Sequence, residues 1–125
     1  MPSVRQLLLV ASGGALGSVL RYLVANVLYP LGRGLPLGTF VINVTGSLAI
    51  GFLGGMWSGE GAGHPGRLLL MVGVLGGYTT FSSFELETLS LANQGMRLQA
   101  LGYVLASCLL GFGAVALGMW AGKRV

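Results

Sequence analysis

Long charge-free apolar runs are the feature that most restricts how this 125-residue chain can fold. Residues 35–59 and 98–122 contain no Asp, Glu, Lys or Arg. Residues 4–28 are apolar around Arg21, and residues 68–91 carry no charge before Glu85. Each run is near the roughly 20 residues that a helix needs to cross a bilayer. The sequence therefore predicts an all-α membrane protein with four transmembrane helices, forming a single domain over residues 1–125.

The composition supports a membrane protein and excludes several other classes. Hydrophobic residues make up 54% of the chain and charged residues only 8%, against roughly 25% charged residues in soluble domains. The net charge of +4 does not indicate nucleic-acid binding, because the basic residues stand mostly at segment ends, where they anchor helices at the interface. A single Cys excludes an intrachain disulfide.

Four spans joined by short connections place both termini on the same side of the membrane. Basic residues are only slightly more frequent on that side, which holds Arg5, Arg67, Lys123 and Arg124, than on the other, which holds Arg33 and Arg97. The positive-inside rule therefore gives only a weak orientation. A weak bias is also expected of a protein that inserts both ways round.

Polar residues are aligned within the second span. Thr39, Asn43 and Ser47 recur at i, i+4 and i+8 and so share one helical face, which Gly51 and Gly55 extend. Hydrogen bonding between helices accounts for Ser and Thr at such positions. For Asn43, near the middle of the membrane, we favour a functional role, since polar groups at that depth are costly.

The fourth and first spans carry similar but more ambiguous patterns. Tyr103 and Ser107 share a face of the fourth span, where either can be a pathway residue or a structural one. In the first span, Gly13 and Gly17 predict close helix contact. Arg21 follows at the same spacing, and can either extend to the interface or supply positive potential to an anion vestibule.

The third span is interrupted by the sequence GGYTTFSSF, which begins at Gly76. Its glycines and threonines are poor helix formers, so we expect the helix to break near its middle. Such a break is tolerated in a membrane only where protein or a water-filled cavity surrounds it. Carbonyl groups that are freed at a break can coordinate a cation.

Side chains beyond the break suit a small anion. Phe81 and Phe84 share one face, and the edge of a phenyl ring is electropositive. Asn43 and the hydroxyls of Thr80 and Ser83 can donate hydrogen bonds that replace hydration water. The residues alone therefore predict an ion pathway that favours anions.

Three stretches in order, GGALGSVLRY (13–22), GTFVINVTGS (38–47) and GGYTTFSSFELE (76–87), resemble the Fluc (CrcB-like) fluoride channels. The resemblance covers the full chain. It implies an antiparallel, dual-topology homodimer in the bacterial plasma or inner membrane. It also implies two pores, each built from both subunits, that export fluoride passively and thereby lower its toxicity in the cytoplasm.

The resemblance also implies roles for individual residues. Arg21 matches the vestibule arginine and Glu87 the glutamate that closes the third motif. The backbone carbonyls of Gly76 and Thr79 match those that hold a structural sodium ion between the subunits. The fluoride pathway is implied to be lined by Asn43, Thr80, Phe81, Ser83, Phe84 and, by a weaker match, Tyr103 and Ser107. Ser83 departs from the family's commoner Thr, and the role of Glu85, an additional acid, is open.

Three other functions are weighed against the channel. A small multidrug-resistance-type transporter needs a membrane-embedded carboxylate in its first helix, but this chain has no acid before Glu60. An enzyme is disfavoured because one His, one Cys and no Asp provide neither a triad nor a metal cluster. We expect His64 to be a solvated loop residue. A non-conducting structural subunit explains the glycines but not the aligned polar side chains.

Overall fold

The computed structural model describes residues 1–125, and its regular structure is entirely helical. We label its helices α1 (Val4–Leu28), α2 (Leu37–Met56), α3 (the π-helical Arg67–Leu75 continued by the α-helical Gly76–Tyr78), α4 (Phe81–Asn93) and α5 (Arg97–Gly122). Four helical units are long and apolar enough to span a membrane, namely Val4–Leu31, Leu37–Met56, Arg67–Asn93 and Arg97–Gly122. The prediction of four transmembrane helices is confirmed.

Local sequence determines where these helices begin and end. A capping box starts α1, in which the backbone N–H of Ser3 donates to Gln6 Oε1 (2.8 Å) and the N–H of Gln6 donates to Ser3 Oγ (3.3 Å). Pro36 precedes α2, which therefore begins two residues later than predicted. Gly95, with φ of 81°, turns the chain between α4 and α5.

The predicted break in the third span is confirmed. Thr79 and Thr80 have extended backbones, with ψ of 157° and 115°, between the helical ends Tyr78 and Phe81. Before the break, the π-helical geometry of Arg67–Leu75 was not predicted. No sequence pattern marks this wider helix, which places Gly73 directly against Gly13 of α1.

Glycines bring the spans into backbone contact in two pairs. α2 packs mainly on α5, and α1 mainly on α3. A methyl group at Gly118 would overlap the carbonyl oxygen of Leu48, and one at Gly51 would overlap that of Val115. The predicted close contact at Gly13 and Gly17 is confirmed, since a methyl group at either would overlap a carbonyl oxygen of α3.

The outside of the bundle is apolar. Only 16 of the 125 residues are buried, and large hydrophobic side chains such as Leu109, Phe112 and Leu117 are exposed. A soluble protein would not expose so much continuous apolar surface, whereas lipid or a second subunit accommodates it.

His64 is a correction to the sequence analysis. Its ring packs on Trp57, with centroids 5.1 Å apart, and its Nδ1 is buried without a hydrogen-bond partner. The expectation of a solvated loop side chain was wrong, because the Arg67 guanidinium draws the loop onto α2 by donating to the Trp57 carbonyl (2.9 Å).

Candidate functional site

Asn43 joins α2 to the break in the third span. Its Nδ2 donates to the carbonyl oxygen of Thr80 (3.0 Å), and the backbone N–H of Thr80 donates to Asn43 Oδ1 (2.9 Å). One side-chain amide therefore satisfies both backbone groups of an extended residue in the middle of a membrane span. Because unpaired backbone groups are costly at that depth, this pair stabilises the break.

Thr80 also begins the helix that follows the break. Its Oγ1 accepts a hydrogen bond from the backbone N–H of Ser83 (3.3 Å) and donates one to Ser83 Oγ (3.0 Å). This is the N-cap arrangement that Thr favours, and Thr80 is buried. Ser83 thus lies beside Thr80, as the sequence predicted, with its hydroxyl held by that cap.

These contacts account for two backbone carbonyls at the break. In a continuous helix, the N–H groups of Thr80 and Ser83 would donate to the carbonyls of Gly76 and Thr79. Here the first N–H is bound to Asn43 and the second to Thr80 Oγ1. Gly76 and Thr79 therefore lose their usual helical donors.

A cavity of about 290 Å³ lies beside the break, and we call it the central cavity. It is bordered by three helices and the break, through the residues Asn43, Gly46, Ser47, Ile50, Thr79, Thr80, Phe81, Phe84, Ser107 and Cys108. Five predicted pathway residues, Asn43, Thr80, Phe81, Phe84 and Ser107, therefore meet around one space. The Oγ of Ser107 is buried there without a hydrogen-bond partner.

Aromatic rings connect the central cavity to the protein interior. Phe81 and Phe84 have centroids 5.9 Å apart with a 40° angle between ring planes. The Phe84 ring also packs on the Tyr103 ring, with centroids 5.1 Å apart and a 60° angle between ring planes. Tilted rings such as these turn edges as well as faces towards their surroundings. Phe81 is 73% exposed in the single chain, whereas Phe84 packs on the small core of Leu91, Ala100 and Tyr103.

Glu87 binds two hydroxyl groups between α2 and α5. Thr39 Oγ1 donates to its Oε1 (2.7 Å), and the Tyr103 hydroxyl donates to its Oε2 (2.9 Å). Neither partner is a cation, so the carboxylate is held by hydroxyls alone. Thr39 and Tyr103 are themselves buried. Their hydrogen atoms are directed to Glu87, so they serve to position the carboxylate.

A larger cavity, about 560 Å³, lies towards the α1–α2 connection, and we call it the outer cavity. Thr39 and Glu87 border it, and so does Arg33, the only Lys or Arg on either cavity. Thr39 and Asn43 are one turn apart on α2, about 6 Å along its axis. The polar face of α2 therefore leads from the outer cavity to the central one.

Other predicted residues lie differently. Arg21 is half-buried on α1 and borders neither cavity, so a single chain does not bring it to the pathway. Tyr103 borders a separate, mainly apolar cavity and reaches the outer cavity only through Glu87. Glu85 is exposed and borders neither cavity.

Two features of the site were not predicted. Arg33 borders the outer cavity, and the one signal for this position in the sequence is its place in a loop between two prolines, where the chain turns back. Cys108 is a free, exposed cysteine that borders the central cavity, and nothing in the sequence pattern indicated this position. The chain has no group of three or more His, Cys, Asp or Glu side chains that could hold a metal ion.

Comparison with known proteins places this arrangement in a family. Residues 8–119 match the family model described as "CrcB-like protein, Camphor Resistance (CrcB)". A protein of Methylobacterium radiotolerans named "Fluoride-specific ion channel FluC" is 47% identical over 89% of this chain and 80% of its own length. Proteins of the same name from Hyphomonas neptunium and Caulobacter vibrioides are 46% and 43% identical and cover 94% and 98% of this chain, or 95% and 98% of their own lengths.

Proposed function

This chain belongs to the CrcB-like family, and from that premise we propose that it is a passive, fluoride-selective channel that exports fluoride from the cytoplasm. It is a multi-pass protein of the bacterial cell membrane and not an enzyme, as its relatives and its four spanning helices indicate. The observation that carries the proposal is the convergence of an amide, hydroxyls and ring edges on a cavity within an apolar bundle.

The central cavity suits a small, strongly hydrated anion. Asn43 uses one of its two N–H donors on Thr80, so the second remains for an ion beside it. Ser107 offers an unpaired hydroxyl, and the edges of Phe81 and Phe84 supply weak positive potential. These groups replace hydration without a fixed positive charge, so the anion is bound weakly enough to leave again.

Fluoride then moves down its electrochemical gradient. A membrane potential that is negative inside favours anion exit by about 2.3 kcal/mol per charge per 100 mV. The polar face of α2 from Thr39 to Ser47 lines the path that the ion takes between the two cavities. On this proposal Glu87, whose carboxylate oxygens each accept a hydrogen bond from a buried hydroxyl, borders the route rather than blocking it.

We further propose that the working unit is an antiparallel homodimer with two pores. The exposed ring of Phe81 on the open central cavity supports this, because a pore cannot leave its lining open to lipid. A second copy, inserted in the opposite orientation, closes the central cavity of the first, and the first closes that of the second. The same partner brings Arg21 to a pore vestibule.

A structural sodium ion at the centre of that dimer is part of the proposal. The residues fit it, since the carbonyls of Gly76 and Thr79 lack their usual helical donors and oxygen ligands suit a hard cation. When bound, the ion supplies positive charge that satisfies these carbonyls at the break. The chain's own part is to keep the two carbonyls free.

Fluoride efflux from liposomes tests the proposed function. Purified protein is reconstituted with internal potassium fluoride, an ionophore for potassium removes the opposing voltage, and an electrode follows fluoride. We expect rapid fluoride release and negligible chloride release in a parallel run. Folded, reconstituted protein that releases no fluoride, or that releases chloride equally well, would overturn the proposal.

Arg33 is expected to attract fluoride to the outer cavity. Replacing it with glutamine should lower efflux about two- to threefold at low ionic strength and subsaturating fluoride, with little change in concentrated salt, because salt screens exposed charges. Arg97→Gln is the matched control, since Arg97 borders neither cavity. An Arg33→Gln effect that persists unchanged in concentrated salt would speak against electrostatic attraction.

A further inference from the structure

We propose that Asn43 and Thr80 are positioning residues for the cation site, so that one side chain, Asn43, serves the fluoride pathway and the sodium site together. The inference rests on the proposed function and adds to it a physical link between the two ions. It is carried by the hydrogen bonds at the break, where each of the two residues captures one backbone N–H.

The first step concerns Gly76. Its carbonyl would ordinarily accept from the N–H of Thr80, four residues on. Asn43 Oδ1 holds that N–H at 2.9 Å. If Asn43 is absent, the N–H and the carbonyl of the buried Thr80 both lose their partner. The direct way to satisfy the N–H is to close the helix, so that it donates to the Gly76 carbonyl. Asn43 therefore keeps the Gly76 carbonyl available to a cation.

The second step concerns Thr79. Its carbonyl would accept from the N–H of Ser83, which Thr80 Oγ1 captures at 3.3 Å. Thr80 is buried, so water does not readily replace its hydroxyl in this role. The two ligating carbonyls are thus kept free by two different side chains, which gives two independent ways to close the break.

The third step connects the cation to the pore. Asn43 borders the central cavity and holds Thr80 by both backbone groups. A cation that stabilises the break also stabilises the orientation of Asn43 towards the cavity. Coupling of this kind is reciprocal, so a change that weakens the Asn43 contact must weaken sodium binding.

Sodium-dependent thermal stability tests the inference without measuring ion flow. The unfolding midpoint of the purified protein in detergent is recorded over a range of sodium, with N-methylglucamine holding ionic strength constant. A ligand of the folded state raises the midpoint as its concentration passes its dissociation constant. We expect Asn43→Ala and Thr80→Val each to raise the half-saturating sodium concentration about tenfold, because each variant loses the one hydrogen bond that keeps a backbone N–H away from a ligating carbonyl.

Two controls separate this role from general destabilisation. Ser47→Ala changes the same face and the same cavity, but Ser47 makes no hydrogen bond to the break, so its half-saturation should equal that of the wild type. Thr80→Ser keeps the hydroxyl and should restore wild-type half-saturation. A merely structural role would lower the midpoint equally at every sodium concentration. If Asn43→Ala does not fold, Thr80→Val against Thr80→Ser decides.

The outcomes distinguish the inference from the proposal beneath it. Wild-type protein whose midpoint is insensitive to sodium would overturn both the sodium site and the link. A sodium-sensitive wild type with an unchanged half-saturation in the folded variants would overturn the link alone. Failure of fluoride efflux with sodium sensitivity intact would overturn the channel and leave the cation site standing.

Discussion

Replacing Phe81 with isoleucine is expected to lower fluoride efflux at least about tenfold and to leave the fold intact. The ring borders the central cavity, and on the proposed function its electropositive edge is the surface that fluoride meets there. Isoleucine retains an apolar side chain but has no such edge, and the loss of one favourable aromatic contact corresponds to about tenfold. Because Phe81 is 73% exposed in the single chain, its truncation removes little packing within the chain.

The matched control for Phe81 is Phe112→Ile. Phe112 is 78% exposed on α5 and borders neither cavity. Fluoride efflux through the Phe112→Ile protein should therefore equal that of the wild type. Both variants are measured by liposome efflux, with gel filtration and helical circular dichroism to verify folding. Wild-type efflux from a folded Phe81→Ile protein would show that ring edges do not carry the ion.

Gly118→Ala is expected to destabilise the protein by about 3 kcal/mol, near the upper end of overpacking effects. The added methyl group would overlap the Leu48 carbonyl oxygen and also approach the backbone of Phe52, so two helices must separate. Proteins of this size have about 5–15 kcal/mol of stability in total, so the yield of folded protein should fall sharply. Resistance to thermal unfolding in detergent measures the loss.

Gly113→Ala on the same helix is the control for Gly118. A methyl group at Gly113 meets nothing within 4 Å in the chain. Alanine also favours helix by about 1 kcal/mol over glycine, so this variant should be as stable as the wild type or slightly more stable. Equal thermal midpoints for Gly118→Ala and Gly113→Ala would contradict the close packing of α2 on α5.

The four helices were predictable from the sequence because charge and apolar length are properties that a membrane selects directly. The break was predictable because glycine and threonine, which recur over Gly76–Thr80, are poor helix formers. A break within a span is tolerated only where protein or a water-filled cavity surrounds it. The spacing of Thr39, Asn43 and Ser47 also predicted that they share one face of α2, and in the structure this face borders both cavities.

What the sequence could not predict depends on partners that are distant in the chain. Asn43 was predicted to contact an ion, but its hydrogen bonds to Thr80 require knowing that α2 crosses the break at that height. The pairing of Glu87 with Thr39 and Tyr103 joins three helices and leaves no local signal. The π-helical geometry of Arg67–Leu75, which places Gly73 against Gly13 of α1, likewise leaves no local signal.

The roles of the site residues remain predictions that rest on resemblance and geometry together. Five of them meet at the central cavity, whereas Arg21 stands apart on α1 in the single chain. In the proposed dimer, the second subunit brings Arg21 to a pore vestibule, and a contact of that kind leaves no pattern in the sequence of one chain.

Passive, fluoride-selective conduction is tested by the reversal potential of the protein in a planar bilayer. With a tenfold fluoride gradient, equal chloride and equal pH on both sides, we expect the current to reverse at the fluoride equilibrium potential, about 59 mV from zero. The reversal should not move when chloride is then made unequal. A reversal at zero, or one that follows the chloride or proton gradient, would contradict a passive fluoride-selective channel.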